Sequence, residues 1–217
     1  MEFSFLETVL LYAIPIILAI TLHEAAHGYV ARMFGDNTAY MLGRVTLNPL
    51  KHIDPVGTIA VPLGLLLLSK LAGGGGFLFG WAKPVPVNFG NLRNPKSDMF
   101  WVAAAGPGAN LLMALLWAVL LKFGGPSDQP GFVGAMAIQG ITFNIVLMVL
   151  NLLPIPPLDG GRIMVSILPM ALARPFAQIE RFGFMVVILL MATGMLNMLM
   201  APLVRSSLQL ITAVFGF

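Results

Sequence analysis

Apolar residues gather into five long stretches along the chain, at roughly 8–31, 56–72, 99–121, 132–153 and 182–204. The hydrocarbon core of a bilayer asks for about 20 apolar residues per helix, so this pattern predicts membrane-crossing helices. The first stretch has no basic residues ahead of it and is preceded by Glu2 and Glu7, which does not fit a cleavable signal peptide. Between the stretches lie polar segments rich in Pro and Gly at 35–55 and 73–98, and a Pro-dense one at 154–162. No internal repeat is evident, and no segment is both long and polar enough to make a separate soluble domain. The expected architecture is therefore a single membrane-embedded domain over 1–217, an all-α polytopic bundle of about four to six transmembrane segments.

Composition agrees with the pattern. Apolar residues make up 58% of the chain and charged residues 10%, with a mean hydropathy of +0.90. Soluble domains run nearer 45–50% apolar and about 25% charged, which excludes an ordinary cytosolic fold and a disordered chain. The formal net charge is only +3, and the basic residues form no patch that could track phosphates, so no nucleic-acid partner is expected. There is no cysteine, so any chemistry must come from His, carboxylate or hydroxyl groups.

Ionisable residues inside apolar spans are costly to bury and mark candidate sites. The first span carries His23, Glu24 and His27, and Asp159 lies just beyond the fourth span. The positive-inside rule supplies an orientation. If the first span runs outside to inside, Lys122 and Arg205 fall outside and Lys70 is unplaced, while the other nine basic residues fall on the cytoplasmic side. Segments 35–55 and 83–98 then share a side, so the intervening 56–72 cannot simply cross once. Residues 56–88 are expected to form a re-entrant or broken, partly extended element lining an aqueous cavity, where non-helical backbone is tolerated at membrane depth.

His23-Glu24-Ala25-Ala26-His27 is H-E-x-x-H on a helix. Histidines four residues apart project from one face and can share one metal ion, while the intervening Glu serves as general base. Two imidazoles suit zinc, and a catalytic zinc site takes three protein ligands. The third ligand is sought among Asp159, His52, Asp54 and Asp98. Topology favours Asp159, because the end of the fourth span and the C-terminal half of the first share a membrane side. The prolines of Pro154-Ile-Pro-Pro157 stop the helix there, and Gly160-Gly161 allows a tight turn beside the ion. A plainer reading makes Asp159 the N-cap of the next helix.

Three segments together resemble the site-2 protease family of intramembrane zinc metalloproteases: His23-Glu-Ala-Ala-His27, Gly106-Pro-Gly-Ala-Asn110 and Asn151-Leu-Leu-Pro-Ile-Pro-Pro-Leu-Asp-Gly160. Gly80-Trp-Ala-Lys-Pro-Val-Pro-Val-Asn88 is similar to the subgroup that keeps the membrane core without a PDZ or nucleotide-sensing module. The resemblance spans about residues 15–165. It implies one Zn2+ per chain held by His23, His27 and Asp159, Glu24 as the catalytic glutamate, and Asn151 at the active site. It further implies hydrolysis of peptide bonds in or near transmembrane segments of membrane-protein substrates.

Asn151 could donate a hydrogen bond to the developing oxyanion or to substrate backbone; its plainer role is a polar bridge between spans. Asn110 is expected to serve close packing with the first span, and Asn144 to bond between helices. His52 reads as a hydrogen-bonded loop residue, and methionines such as Met113, Met148 and Met191 as adaptable packing. Gly43–Asn48 and Ala82–Asn88 have strand-like composition and are candidates to pair with an unwound substrate. The expected location is a prokaryotic cell (inner) membrane, crossed several times, with the site toward the cytoplasm. The competing classes are a zinc or other divalent-metal transporter, which should show inverted repeats, and a non-catalytic metal-binding scaffold, which would not need Glu24.

Overall fold

A computed structural model describes residues 3–61, 64, 67, 82–124 and 131–217. The helices are α1 (Phe5–Met33), α2 (Thr38–Met41), α3 (Pro95–Phe123), α4 (Phe132–Leu152), α5 (Asp159–Ile167), α6 (Met170–Gln178), α7 (Glu180–Ala192) and α8 (Met195–Phe215). Single turns at Pro49–Lys51, Pro55–Ala60 and Phe89–Asn91 punctuate the connections. Helices α1, α3, α4 and α8 are each long and apolar enough to cross a membrane, and α6 with α7 forms a further apolar pair bent by 63°.

Local sequence accounts for the ends of α1. Ser4 accepts from the Glu7 amide, and the Glu7 carboxylate accepts from the Ser4 amide, closing a capping box. At the other end the chain must turn sharply, and Gly35 takes φ +110°, a conformation a side chain would strain.

The buried residues of α1 include Leu11, Pro15, Ala19, His23, His27 and Ala31, a stripe at every fourth position. Asp98, Val102, Gly106, Asn110, Ala114 and Ala118 form the matching stripe on α3. Small residues in both rows let the two helices approach closely, as membrane interfaces require. Helix α4 closes the core. Its Ala137, Ile141, Ile145 and Val149 pack with Trp117 and Leu121 of α3 and Ile211 of α8, while Met113 and Met148 fill in around them. Gly140 of α4 leaves room for the Trp117 indole, whose ring atoms occupy the place a Cβ would take.

The contacts also give direction. Along α3, Val102 meets His27 and Asn110 meets His23 of α1, while Asn110 meets Asn144 and Trp117 meets Gly140 of α4. Helices α1 and α4 therefore run the same way, antiparallel to α3, and their C-terminal ends share one end of the bundle.

Two sequence expectations meet a different local outcome. The stretch 182–204 is divided between α7 and α8 by Gly194, which adopts φ +74° and begins a new helix. Gly43–Asn48 folds as a turn and bends rather than as the strand its composition suggests. The central part of the expected re-entrant element, residues 68–81, lies outside the described residues.

Candidate metal centre

The stripe that packs α1 on α3 also carries the histidines. His23 and His27, one turn apart, stack edge to face with ring centroids 4.7 Å apart. Their Nε2 atoms lie 3.1 Å apart, and each is 3.3 Å from Asp159 Oδ2. All three residues are buried. Among the described residues this is the one grouping of three or more such side chains able to share an ion.

The chain reaches that point through the turn after α4. Leu153–Pro157 reverses direction, and Asp159 becomes the first residue of α5, with Leu158 at the N-cap. Gly160 and Gly161 are helical rather than a turn. They lie so close to the Leu152 and Leu153 carbonyls and the Pro156 backbone that no Cβ fits, which brings the Asp159 carboxylate back beside α1. Gly106 does the same from α3: a Cβ there would overlap both imidazoles.

Each imidazole is held through its other nitrogen. His27 Nδ1 lies 2.7 Å from the Val102 carbonyl oxygen, and His23 Nδ1 lies 2.7 Å from Asn110 Oδ1. Both partners accept, so both Nδ1 atoms carry a proton, and the neutral form of each ring turns its Nε2 lone pair toward Asp159. The Asp159 Oδ2 is itself buried without a hydrogen-bond donor. Three electron-rich atoms facing one point repel unless a cation lies between them. Ligands about 2.0–2.1 Å from a tetrahedral zinc stand about 3.3 Å apart, the spacing found here. The donor set and its geometry fit zinc.

Glu24, on the neighbouring face of α1, is half-buried, and its Oε2 accepts a 2.7 Å hydrogen bond from the Val85 amide. The segment carrying Val85 is pinned on both sides. The Lys83 amide donates to the His52 carbonyl, and Arg44 Nη2 donates to the Lys83 carbonyl at 2.8 Å. Beyond Val85, the Asn88 amide donates to Asp36 at 2.7 Å. Gly28 leaves the gap through which Val85 approaches α1: a Cβ there would stand 3.0 Å from Val85 Cγ1.

The remaining residues singled out in the sequence are engaged elsewhere. Asn151 is half-buried and its amide donates to the Leu147 carbonyl one turn back, at 3.0 Å. His52 Nε2 bonds the Thr46 carbonyl, Asp54 accepts from the Val56 and Gly57 amides, and Asp98 accepts from the Asn94 amide. Asn110, expected to serve packing, bonds an imidazole directly. The Val85 amide and the Asp36 carboxylate carry no sequence motif, and only the fold reveals them.

The sequence profile of peptidase family M50 matches residues 126–194. "Putative zinc metalloprotease YwhC" of Bacillus subtilis is 38% identical over 93% of this chain and 91% of its own length. "Putative zinc metalloprotease Rip2" of Mycolicibacterium smegmatis is 30% identical over 83% of this chain and 66% of its own, and Rip2 of Mycobacterium tuberculosis is 29% identical over the same shares. No solved structure matches the chain. With so high an identity over nearly the whole of one relative, the chain belongs to peptidase family M50, the site-2 protease family of intramembrane zinc metalloproteases.

Proposed function

We propose that residues 1–217 act as one membrane-embedded metalloprotease unit in which His23, His27 and Asp159 hold the zinc and Glu24 is the general base. The observation that carries this reading is the convergence of the three ligand atoms at 3.1–3.3 Å, with a half-buried carboxylate on the residue next to His23. Bound zinc supplies Lewis acidity, lowering the pKa of water toward about 7 and polarising a peptide carbonyl.

The chain's own residues do the rest. Glu24 takes a proton from the attacking water as its oxygen bonds to the carbonyl carbon, and returns that proton to the departing amide nitrogen as the C–N bond breaks. The Val85 amide holds the Glu24 carboxylate in place between these transfers. Asn151 turns its amide from the Leu147 carbonyl toward the substrate, donating to the developing oxyanion or to the substrate backbone.

The substrate is a transmembrane protein or peptide, cut in or near a membrane-spanning segment that has locally unwound. The surroundings are lipid bilayer. We assign the centre to the cytoplasmic side of a prokaryotic inner membrane. In support, the Phe34 carbonyl accepts from the Arg93 amide, which gathers Arg32, Arg93 and Lys96 at the end of the bundle where α1 finishes, while Lys122 lies at the far end of α3.

Cleavage of a membrane-anchored test substrate by wild type and by Glu24→Gln tests the reading. Loss of cleavage with zinc still bound is expected. Cleavage at the wild-type rate by the variant sinks the assignment of Glu24, and zinc flux that persists in the variant points to transport instead.

A further inference from the structure

We propose that Asn144 is a positioning residue for the metal centre, acting through Asn110 to hold His23 in the tautomer that presents Nε2 to the ion. The inference rests on the reading of His23 as a zinc ligand.

The three side chains form a line through the core. Asn144 Nδ2 donates to the Gly140 carbonyl at 2.8 Å, and Asn144 Oδ1 accepts from Asn110 Nδ2 at 3.0 Å. Asn110 Nδ2 also donates to the Ala19 carbonyl at 3.3 Å, and Asn110 Oδ1 faces His23 Nδ1 at 2.7 Å. Both asparagines are 0% exposed, so bulk solvent does not compete for their bonds.

Amide orientation is ordinarily ambiguous, because oxygen and nitrogen look alike. Here two backbone carbonyls remove the ambiguity. Gly140 and Ala19 offer oxygens that can only accept, so each must meet an NH2 group. An NH2 toward Gly140 turns the oxygen of Asn144 toward Asn110. That oxygen and the one on Ala19 then claim both hydrogens of Asn110. The oxygen of Asn110 is left to His23, whose Nδ1 must carry the proton.

Turning Asn110 over would set an NH2 against His23 Nδ1. The imidazole could then satisfy it only by moving its proton to Nε2, which abolishes the lone pair a metal needs. The Ala19 carbonyl and Asn144 both oppose this turn, so losing Asn144 removes one of the two restraints. His27 has no such dependence, because its Nδ1 is held by the Val102 backbone carbonyl. The two ligand histidines are thus secured by different means, and that difference makes the proposal testable.

The experiment uses the full chain in lipid nanodiscs with 15N-labelled histidine. It measures zinc affinity by chelator competition and the Nδ1–H signals of the zinc-loaded protein. Asn144→Ser keeps a hydroxyl able to bond one turn back and is too short to reach Asn110. We expect it to weaken zinc binding about 10- to 100-fold. The His23 Nδ1–H signal should move and exchange faster with solvent, while that of His27 stays put. Asn144→Asp is the rescue: buried and neutral, its hydroxyl donates to Gly140 and its carbonyl accepts from Asn110, so affinity should return to within about threefold of wild type.

Unchanged affinity and an unmoved His23 signal in Asn144→Ser overturn the proposal, as does an equal disturbance of both histidines. If that variant does not fold, wild type decides: rapid exchange of the His23 Nδ1–H beside a protected His27 overturns it. His23→Ala separates the underlying reading, since full zinc affinity in that variant means that His23 is no ligand.

Discussion

Glu24 and Val85 are joined by a 2.7 Å hydrogen bond from the Val85 amide to the Glu24 carboxylate, across 61 residues of sequence. The donor is backbone, so the contact survives any side chain at 85 except proline. It also survives replacement of the carboxylate by an amide, because the glutamine oxygen still accepts. Glu24→Gln should therefore leave the 83–88 segment and the zinc content as in wild type. It should lower kcat by about 10²–10⁴, the usual contribution of a general base. Metal analysis alongside cleavage of a membrane-anchored substrate checks both halves.

Gly106→Ala is expected to disturb the ligand cluster itself. The added methyl falls on the His23 and His27 rings, and both are held from behind by Asn110 and Val102, so neither can retreat without losing a hydrogen bond. Zinc should fall well below one per chain, and activity should fall with it, while circular dichroism still reports a helical protein. A fully loaded, active Gly106→Ala would contradict the packing described.

Asp36 is expected to give the loop region a dependence on acid. Burial raises its pKa, but the hydroxyl and amide of Thr38, the Asn88 amide and the Asn91 side chain together outweigh it and hold the carboxyl below its ordinary value. A carboxyl depressed in the folded state stabilises fully above its unfolded pKa near 3.9, and that contribution is lost as pH falls through the folded value. Stability should therefore carry the full Asp36 contribution near neutrality, with no dependence on pH there, and decline below about pH 4. In Asp36→Asn this component of the acid slope disappears, and limited proteolysis within 83–94 becomes faster at pH 7. Proteolysis as slow as in wild type would show that Asp36 does not anchor the segment.

Asn151→Ala should separate catalysis from binding. In the structure its amide is spent on the Leu147 carbonyl of its own helix, a bond whose loss costs the fold little. If the amide turns to the substrate in the transition state, kcat falls about 10²–10³ with zinc affinity unchanged. A wild-type kcat leaves Asn151 as a helix residue and no more.

Much of this architecture is legible in the chain because lipid imposes simple rules. A span must be long and apolar, and an ionisable residue inside it is conspicuous. That is why His23, Glu24 and His27 stand out, whereas Asp159, just beyond the fourth span, is favoured over His52, Asp54 and Asp98 only by topology. What stays hidden depends on register between helices. Nothing in Gly106-Pro-Gly-Ala-Asn110 says that the asparagine faces His23 rather than a neighbouring turn, so its bonding role passes for packing. The Val85 contact is invisible for another reason: a backbone amide belongs to every residue but proline. The break at Gly194 escapes because hydropathy runs on smoothly through 182–204, while a single glycine at φ +74° redirects the chain.

The stripe of every fourth residue on α1 sets a depth as well as a packing seam. From Met33, where the helix ends, His27 lies six residues inward and His23 ten. At 1.5 Å per residue these are about 9 and 15 Å. A helical polypeptide entering from that end would have to uncoil over only two or three turns before its backbone drew level with the cluster, and its remaining turns could stay wound in the lipid.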